Sequence, residues 1–205
     1  MIHIGPRRFA GMLDNALAAA KQGAKPFPHI MILSLDGSLT VSGVGQHVMV
    51  EDTEQGMGGP EDGVALRVKE AESVAKTVRS TDGALKRDTT VYLTIDDGVL
   101  RVENGVETIV EVADVGDEAD GAWAIRADSQ HYYGEPVTRA DRYDLFDTSV
   151  LAVIGKLKPD SVESRVLLYP RQAGDTAMFR VGSVRGFVEG NRTPPEDIDG
   201  VKSLF

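Results

Sequence analysis

Between Val68 and Val112 the apolar positions change period once. Over 68–80, Val68, Ala71, Val74, Ala75 and Val78 recur at helical spacing while Lys69, Ser73, Lys76 and Ser80 fall on the other side, which predicts an amphipathic helix. After a polar break, 91–95 (VYLTI), 99–103 (VLRVE) and 107–112 (ETIVEV) are short β-rich runs separated by Asp97-Gly98 and Asn104-Gly105. Such dipeptides enter the φ > 0 region that tight turns need, so the three runs read as strands joined by two hairpins. The unit is a helix followed by three strands.

The same order occurs earlier in the chain. Pro6 suits the first turn of a helix, and Phe9, Met12, Leu13, Ala16, Leu17 and Ala20 then form one stripe that Gly23 and Pro26 close. HIMILSL (29–35), a turn at Asp36-Gly37, LTVSGV (39–44) and HVMVE (47–51) supply three strands. Counted from helix starts near Arg8 and Val68, the strands of both units begin about 22, 31 and 39 positions later, the signature of an internal repeat. A third copy keeps the order with altered spacing: a helix over 145–159 with Phe146, Val150, Val153, Ile154 and Leu157 on one face and Pro159 as its stop, then RVLLY (165–169), TAMFRV (176–181) and SVRGFVEG (183–190). Should the missing half of this unit leave an assembly that closes no ring, TAMFRV and SVRGFVE are expected as edge strands open to pairing with another subunit.

The connections are polar. TEQGMGGPEDG (53–63) is a glycine-rich linker without the GK[ST] ending of a phosphate cradle. DVGDEADG (114–121) marks a domain boundary, WAIRA (123–127) reads as a strand, and no full partner for the third unit fits between 113 and 144. The expected organisation is 1–113 as a domain of two units, 114–192 as a shortened second domain, and 193–205 as a tail of two prolines and several acids ending on Leu204 and Phe205.

Composition narrows the chemistry. The 205 residues are 41% hydrophobic, enough for a substantial core, and no stretch suits a bilayer span, so a cytoplasmic protein without membrane contact is expected. The absence of cysteine removes disulfides, thiol nucleophiles and thiolate metal sites. His3, His29, His47 and His131 lack ligand spacing, and Asp96-Asp97 belongs to a hairpin turn rather than a carboxylate pair. Hydrolase, Walker and dinucleotide motifs are missing, so neither catalysis nor a cofactor is expected. Trp123, Tyr132, Tyr133 and Tyr143 are either a stacking platform or the core and rim of the second domain. The net charge of -10 opposes coating of nucleic acid by the whole surface but permits a local basic strip.

A repeated helix-plus-three-strand unit is what resembles the DNA sliding clamps, the ring-shaped processivity factors of replicative polymerases. FAGMLDNALAAAK resembles the first inner helix, ILSLDGSLTVSGVGQHVMVE its sheet, VALRVKEAESVAKTVRS the crossover strand and second helix, and VYLTIDDGVLRVENGVETIVEV the closing sheet. The resemblance implies an α+β fold with antiparallel sheets outside and helices on one face. It also implies a non-enzymatic role in replication on duplex DNA, a polymerase or other replication protein as partner, and a homo-oligomeric ring. Clamp rings use twelve half-units, so three per chain imply a tetramer, and a hidden fourth would imply a trimer. A small clamp of this kind suits a phage.

A protein that slides needs cations near phosphates without base-edge contacts that would pin it to one sequence. Arg7, Arg8, Lys21 and Lys25 on or beside the first helix, Lys69, Lys76 and Arg79 on the second, and Lys156 and Lys158 on the third are the candidate DNA contacts. Lys21, Arg79, Lys156 and Lys158 also fit the ordinary preference for cations at helix C-termini. Ser203-Leu204-Phe205 resembles the hydrophobic plug of peptides that dock on bacterial clamps, with Val201 where a glutamine is expected. Two alternatives stand beside this reading: a clamp mimic that binds a host clamp or clamp loader and interferes with replication, and an oligomeric interaction module that does not touch DNA.

Overall fold

The computed structural model describes residues 1–22, 28–56, 59, 61–84, 90–133, 148–159, 165–169 and 176–189. The first unit is β1 (Ile2–Ile4), α1 (Pro6–Ala20), β2 (His29–Leu35), β3 (Ser38–Val44) and β4 (Val48–Gln55). The second is β5 (Asp62–Arg67), α2 (Val68–Ala84), β6 (Val91–Asp96), β7 (Val99–Glu103) and β8 (Thr108–Ala113). Each unit lends its leading strand to the other: β5 pairs antiparallel with β2, and β1 with β6. The exchange locks the two helices together, and Phe9, Leu13, Ala16 and Leu17 of α1 share one core with Ala71, Val74, Ala75 and Val78 of α2. Each large side chain fully buried there contributes about 1.5–3 kcal/mol.

β1 was not foreseen, because three residues with a single alternation, Ile2-His3-Ile4, carry too little pattern to be told from a terminus. The hairpins form as expected: Asp36 and Gly37 have φ 51° and 71°, and Asp97 and Gly98 have φ 49° and 69°, the pair of left-handed residues a type I′ turn requires. Gly43 has a different task. A Cβ there would lie 2.1 Å from the carbonyl oxygen of Ala16, so its bare α-carbon lets α1 lie directly on β3.

The third unit is α4 (Thr148–Ile154), β9 (Leu167–Tyr169), β10 (Thr176–Val181) and β11 (Val184–Glu189). Two expectations are corrected here. TAMFRV and SVRGFVE are interior strands: β10 lies between β9 and β11, and β11 pairs with β4 of the first unit, giving the continuous order β5-β2-β3-β4-β11-β10-β9. Gly186 permits that junction, since a Cβ would meet the Met49 carbonyl oxygen at 2.0 Å. WAIRA belongs to a helix, α3 (Asp120–Tyr133), preceded by a 3-10 turn over Gly116–Ala119. Its buried or half-buried positions Ala122, Trp123, Ile125, Arg126 and Ser129 follow helical rather than alternating spacing, and Asp117, Glu118 and Asp120 sit where the N-terminal dipole favours acids.

α3 covers the sheet face opposite α1, α2 and α4. Trp123, Ala122 and Ala119 pack with Met31, Met49, Ala65 and Phe187, so Trp123 serves the core. Tyr132 and Tyr133 fall in the last turn of α3, and Tyr143 lies outside the described residues. The third helix stops at Ile154, earlier than its pattern implied, because the Lys158 amide donates instead to Asn15 Oδ1 at 2.8 Å. No helix among the described residues is long and apolar enough to cross a membrane.

Candidate nucleic-acid interface

Strand alternation sends neighbours on β4 to opposite faces, and both Glu51 and Asp52 are fully buried. On the helix side, Asp52 receives Arg8 Nη1 and Nη2 at 2.8 and 2.7 Å and Asn15 Nδ2 at 2.8 Å, and Arg8 Nε reaches Glu54 at 2.7 Å. Burial works against the charge of Arg8, but the hydrogen bonds and charges of Asp52 and Glu54 outweigh it and raise its pKa. Arg8 therefore leaves the set of candidate DNA contacts: it neutralises a buried aspartate. On the other side, Glu51 is held by Arg126 at 3.0 Å from α3 and Arg185 at 3.0 Å from β11.

The exposed stripe of α1 is narrow, running Arg7, Gly11, Asp14, Ala18 and Lys21, with Lys69, Glu72, Lys76 and Arg79 beside it on α2. The helices run antiparallel. The start of α1 therefore meets the end of α2, where Arg79 pairs with Asp14 at 2.7 Å, and the end of α1 meets the start of α2, where Lys21 pairs with Glu72. Lys158, just past α4, also reaches Asp14, at 3.5 Å. Arg7, Arg8, Gly11, Asp14, Arg79, Lys158 and Pro159 enclose a shallow groove of about 330 Å³. Lys69, Lys76 and Lys156 are exposed. Lys25, Ser203, Leu204 and Phe205 lie outside the described residues.

This face is richer in cations than the chain as a whole, which has 22 Lys and Arg against 32 Asp and Glu. Arg7, Lys21, Lys69, Lys76, Arg79, Lys156 and Lys158 stand against Asp14, Glu70 and Glu72, whereas exposed acids gather elsewhere: Asp36, Asp97 and Glu107 in the strand turns, and Asp117, Glu118, Asp120 and Asp128 at α3. The ion pairs on the helix face are solvent-exposed, worth about 0–1 kcal/mol each and weakened by salt, so their cations can exchange a carboxylate for a phosphate at little cost. Sequence reasoning missed Asp14. Its only signal is its place seven residues from both Arg7 and Lys21 on the polar stripe.

Two further grooves are present, the first away from this face and the second at its end. One of about 540 Å³ crosses the outer sheet surface, with Leu33, Leu35 and Met178 beside Arg126, Arg180 and Arg185. The other, about 770 Å³, lies where α1 ends and α2 begins and includes Lys21, Arg67, Lys69, Glu118 and His29. His29 is buried with its Nδ1 unpartnered, and burial lowers its pKa below the ordinary value while Glu118 opposes the shift. Among the described residues no cluster of three or more His, Cys, Asp or Glu could hold a metal ion.

No family model matches the sequence, and no curated protein matches it either. Its architecture does have relatives among solved structures. The beta subunit of DNA polymerase from Streptococcus pyogenes superposes with a TM-score of 0.69 at 12% identity, covering 97% of this chain and 66% of that one. A DNA polymerase III subunit beta sliding clamp from Bartonella birtlesii gives 0.68 at 10% identity over 98% of this chain and 67% of that one. The DNA polymerase III beta subunit of Thermotoga maritima gives 0.61 at 10% identity, with 98% and 66% covered. This chain spans about two thirds of their length. With its paired helix-plus-three-strand units, exchanged leading strands and a third unit continuing the first sheet, the chain has the fold of the bacterial DNA sliding clamps.

Proposed function

We propose that this protein is a clamp-like replication factor that holds duplex DNA without sequence preference along the face formed by α1, α2 and α4, and that copies of it associate around the duplex. In this reading 1–113 is a complete clamp domain and 114–192 a shortened one. The observation that carries the reading is the segregation of charge: an acidic chain turns Arg7, Lys21, Lys69, Lys76, Arg79, Lys156 and Lys158 to the helix side. Flexible lysines at helix surfaces interact with phosphates as point charges and leave base edges unread, which is what movement along DNA requires. The role needs no bond to be made or broken. A polymerase or another replication protein is the expected partner, recruited in part through Ser203, Leu204 and Phe205.

The test is retention on closed circular DNA compared with linear DNA of the same sequence, over a series of salt concentrations. A clamp is kept on the circle and runs off free ends. In direct binding, Lys69→Glu, Lys76→Glu and Lys156→Glu combined should reduce the slope of log affinity against log salt by roughly 3 per copy engaged. Equal retention on circles and linear DNA, or a slope unchanged by the three substitutions, would sink the reading.

One observation favours the mimic or interaction-module reading instead. Asp14 stands at the centre of the groove and engages both Arg79 and Lys158, so this end of the face is less positive than its cation count implies. Tight binding to a replication protein together with indifference to DNA would support that alternative.

A further inference from the structure

The groove of about 540 Å³ on the outer sheet surface changes its polarity from end to end. Leu33 and Leu35 of β2 form one end, and Leu35 is 43% exposed. In the middle the hydroxyls of Thr40 on β3 and Thr53 on β4 are 3.1 Å apart, beside Ser38 Oγ, which donates to Gln55 Oε1 at 2.9 Å. Arg180 on β10 and Arg185 on β11 form the other end, with Ser183 in the turn that joins their strands and Arg126 contributed by α3. Two features of this cationic end call for an anion. Arg180 lies directly opposite Arg185 across the strand pair, a placement of like charges that destabilises a hairpin. Glu51 holds Arg185, whereas exposed Arg180 donates Nε to the Gly182 carbonyl oxygen and has no carboxylate partner among the described residues. Ser183 Oγ is buried and has no hydrogen-bond partner there either, and an unpaired buried hydroxyl marks a place for a water, an ion or a ligand.

We infer that the groove binds a mononucleotide, with its phosphate between Arg180 and Arg185, its sugar over the Thr40 and Thr53 hydroxyls, and its base on Leu33 and Leu35. A guanidinium pair suits a phosphate because each presents a planar fork of donors, and the Ser183 hydroxyl adds one more. The sheet order places β2 three strand spacings from β11, about 14 Å, close to the span of an extended nucleotide. The volume is that of a small-molecule site. Asp36, the one acid among the lining residues, sits in the β2–β3 turn at the apolar end, away from the phosphate. The strands beneath the groove, β2, β3, β4, β11 and β10, are each paired on both sides, so a peptide finds no backbone edge to extend. The site lies on the opposite sheet face from the lysines of α1 and α2 and does not depend on what that face holds.

Calorimetric titration of the full chain with adenosine monophosphate, adenosine and inorganic phosphate tests this. The nucleotide should bind once per chain, and adenosine and phosphate should each bind at least about tenfold more weakly and compete with it. Arg180→Gln should weaken nucleotide binding roughly 10- to 100-fold while the melting temperature stays that of wild type. Ser183→Ala should weaken it too, yet leave the melting temperature unchanged or higher, because the hydroxyl it removes is unpaired in the free chain; a purely structural serine would show the reverse. Leu35→Ser should lower affinity for the nucleotide and not for phosphate. No binding of the nucleotide at millimolar concentration overturns the inference. So does nucleotide binding that survives Arg180→Gln and is lost in the combined Lys69→Glu, Lys76→Glu and Lys156→Glu chain, which would put the ligand on the helix face. An acidic, leucine-bearing peptide or a single-stranded oligonucleotide that binds through Arg180 and is not displaced by the nucleotide also overturns it and identifies a different occupant.

Discussion

Arg8 separates a structural role from a DNA-contact role most sharply, because the two make opposite demands on it. Its guanidinium makes two bonds to Asp52 at 2.8 and 2.7 Å and one to Glu54 at 2.7 Å, and its side chain is 11% exposed. Arg8→Met keeps most of the aliphatic volume and removes the charge, leaving fully buried Asp52 with the Asn15 amide but without its cation. Breaking a buried ion pair from one side costs about 3–5 kcal/mol, most of it the penalty of the stranded charge. For a chain of this size that corresponds to a fall in melting temperature of roughly 6–20 °C. The same substitution should leave the salt slope of DNA binding unchanged, since the guanidinium does not reach a phosphate. Paired with Asp52→Asn, which removes the stranded charge, Arg8→Met should recover at least half of the lost stability. The assay is a thermal melt of the three variants alongside DNA titrations at several salt concentrations, run below the lowest melting temperature. A melting temperature within about 3 °C of wild type combined with a reduced slope would refute the reasoning and return Arg8 to the DNA surface.

Asp14→Asn removes the carboxylate shared by Arg79 and Lys158; DNA affinity at low salt should rise and the slope steepen by roughly 1 to 2, read by titration across salt. Gly43→Ala places a methyl 2.1 Å from the Ala16 carbonyl oxygen, and because α1 is held on both flanks the cost should exceed about 2 kcal/mol in denaturant unfolding. His29 makes stability fall with acidity: its folded pKa lies below the unfolded value of about 6.5, so as pH drops past that value the unfolded chain takes up the proton first. The loss should begin near pH 6.5 and stop once the pH is below the folded pKa, and His29→Gln should show a smaller decrease in melting temperature than wild type over this range.

The two complete units were legible because each level of information agreed. Apolar period, Asp-Gly turns and a constant offset between helix and strands all pointed to one arrangement, and the type I′ geometry at Asp36-Gly37 and Asp97-Gly98 is what those dipeptides encode. The misses come where pattern is short or position is tertiary. β1 offers one alternation, and WAIRA is a five-residue window in which Trp123, Ile125 and Ala127 mimic a strand until the acids before it and Ser129 after it are counted as one helix. That β11 pairs with β4 was not readable locally, because the strand alternates like an edge strand and its partner lies 132 positions away at Asp52↔Val184. The site followed the same division. Exposed Lys69, Lys76 and Lys156 could be assigned from helical phase, whereas the withdrawal of Arg8 depended on Asp52 and Glu54, which the sequence reading leaves beyond the strand at 47–51, with Glu54 in the 53–63 linker, although β4 runs on to Gln55.

The buried acids on β4 also explain why the third unit is not a loosely tethered addition. Glu51 takes one of its arginines from β11 and another from α3, and Asn15, which donates to Asp52, is itself fixed by the backbone of Lys158 through bonds of 3.1 and 2.8 Å. Glu51 thus draws its arginines from two later segments of the chain, α3 and β11, while Asp52 is held from α1 and linked to the end of the third helix only through Asn15. Removing those segments would take Arg126 and Arg185 from Glu51 and expose the β4 edge. Hydrophobic contact alone would tolerate a range of docking angles, whereas these directional pairs accept few. The register in which β11 joins β4 thus goes with the packing of Val150, Val153 and Ile154 beside Ala18 and Ala19 at the end of α1, which brings Lys156 and Lys158 to the helix side.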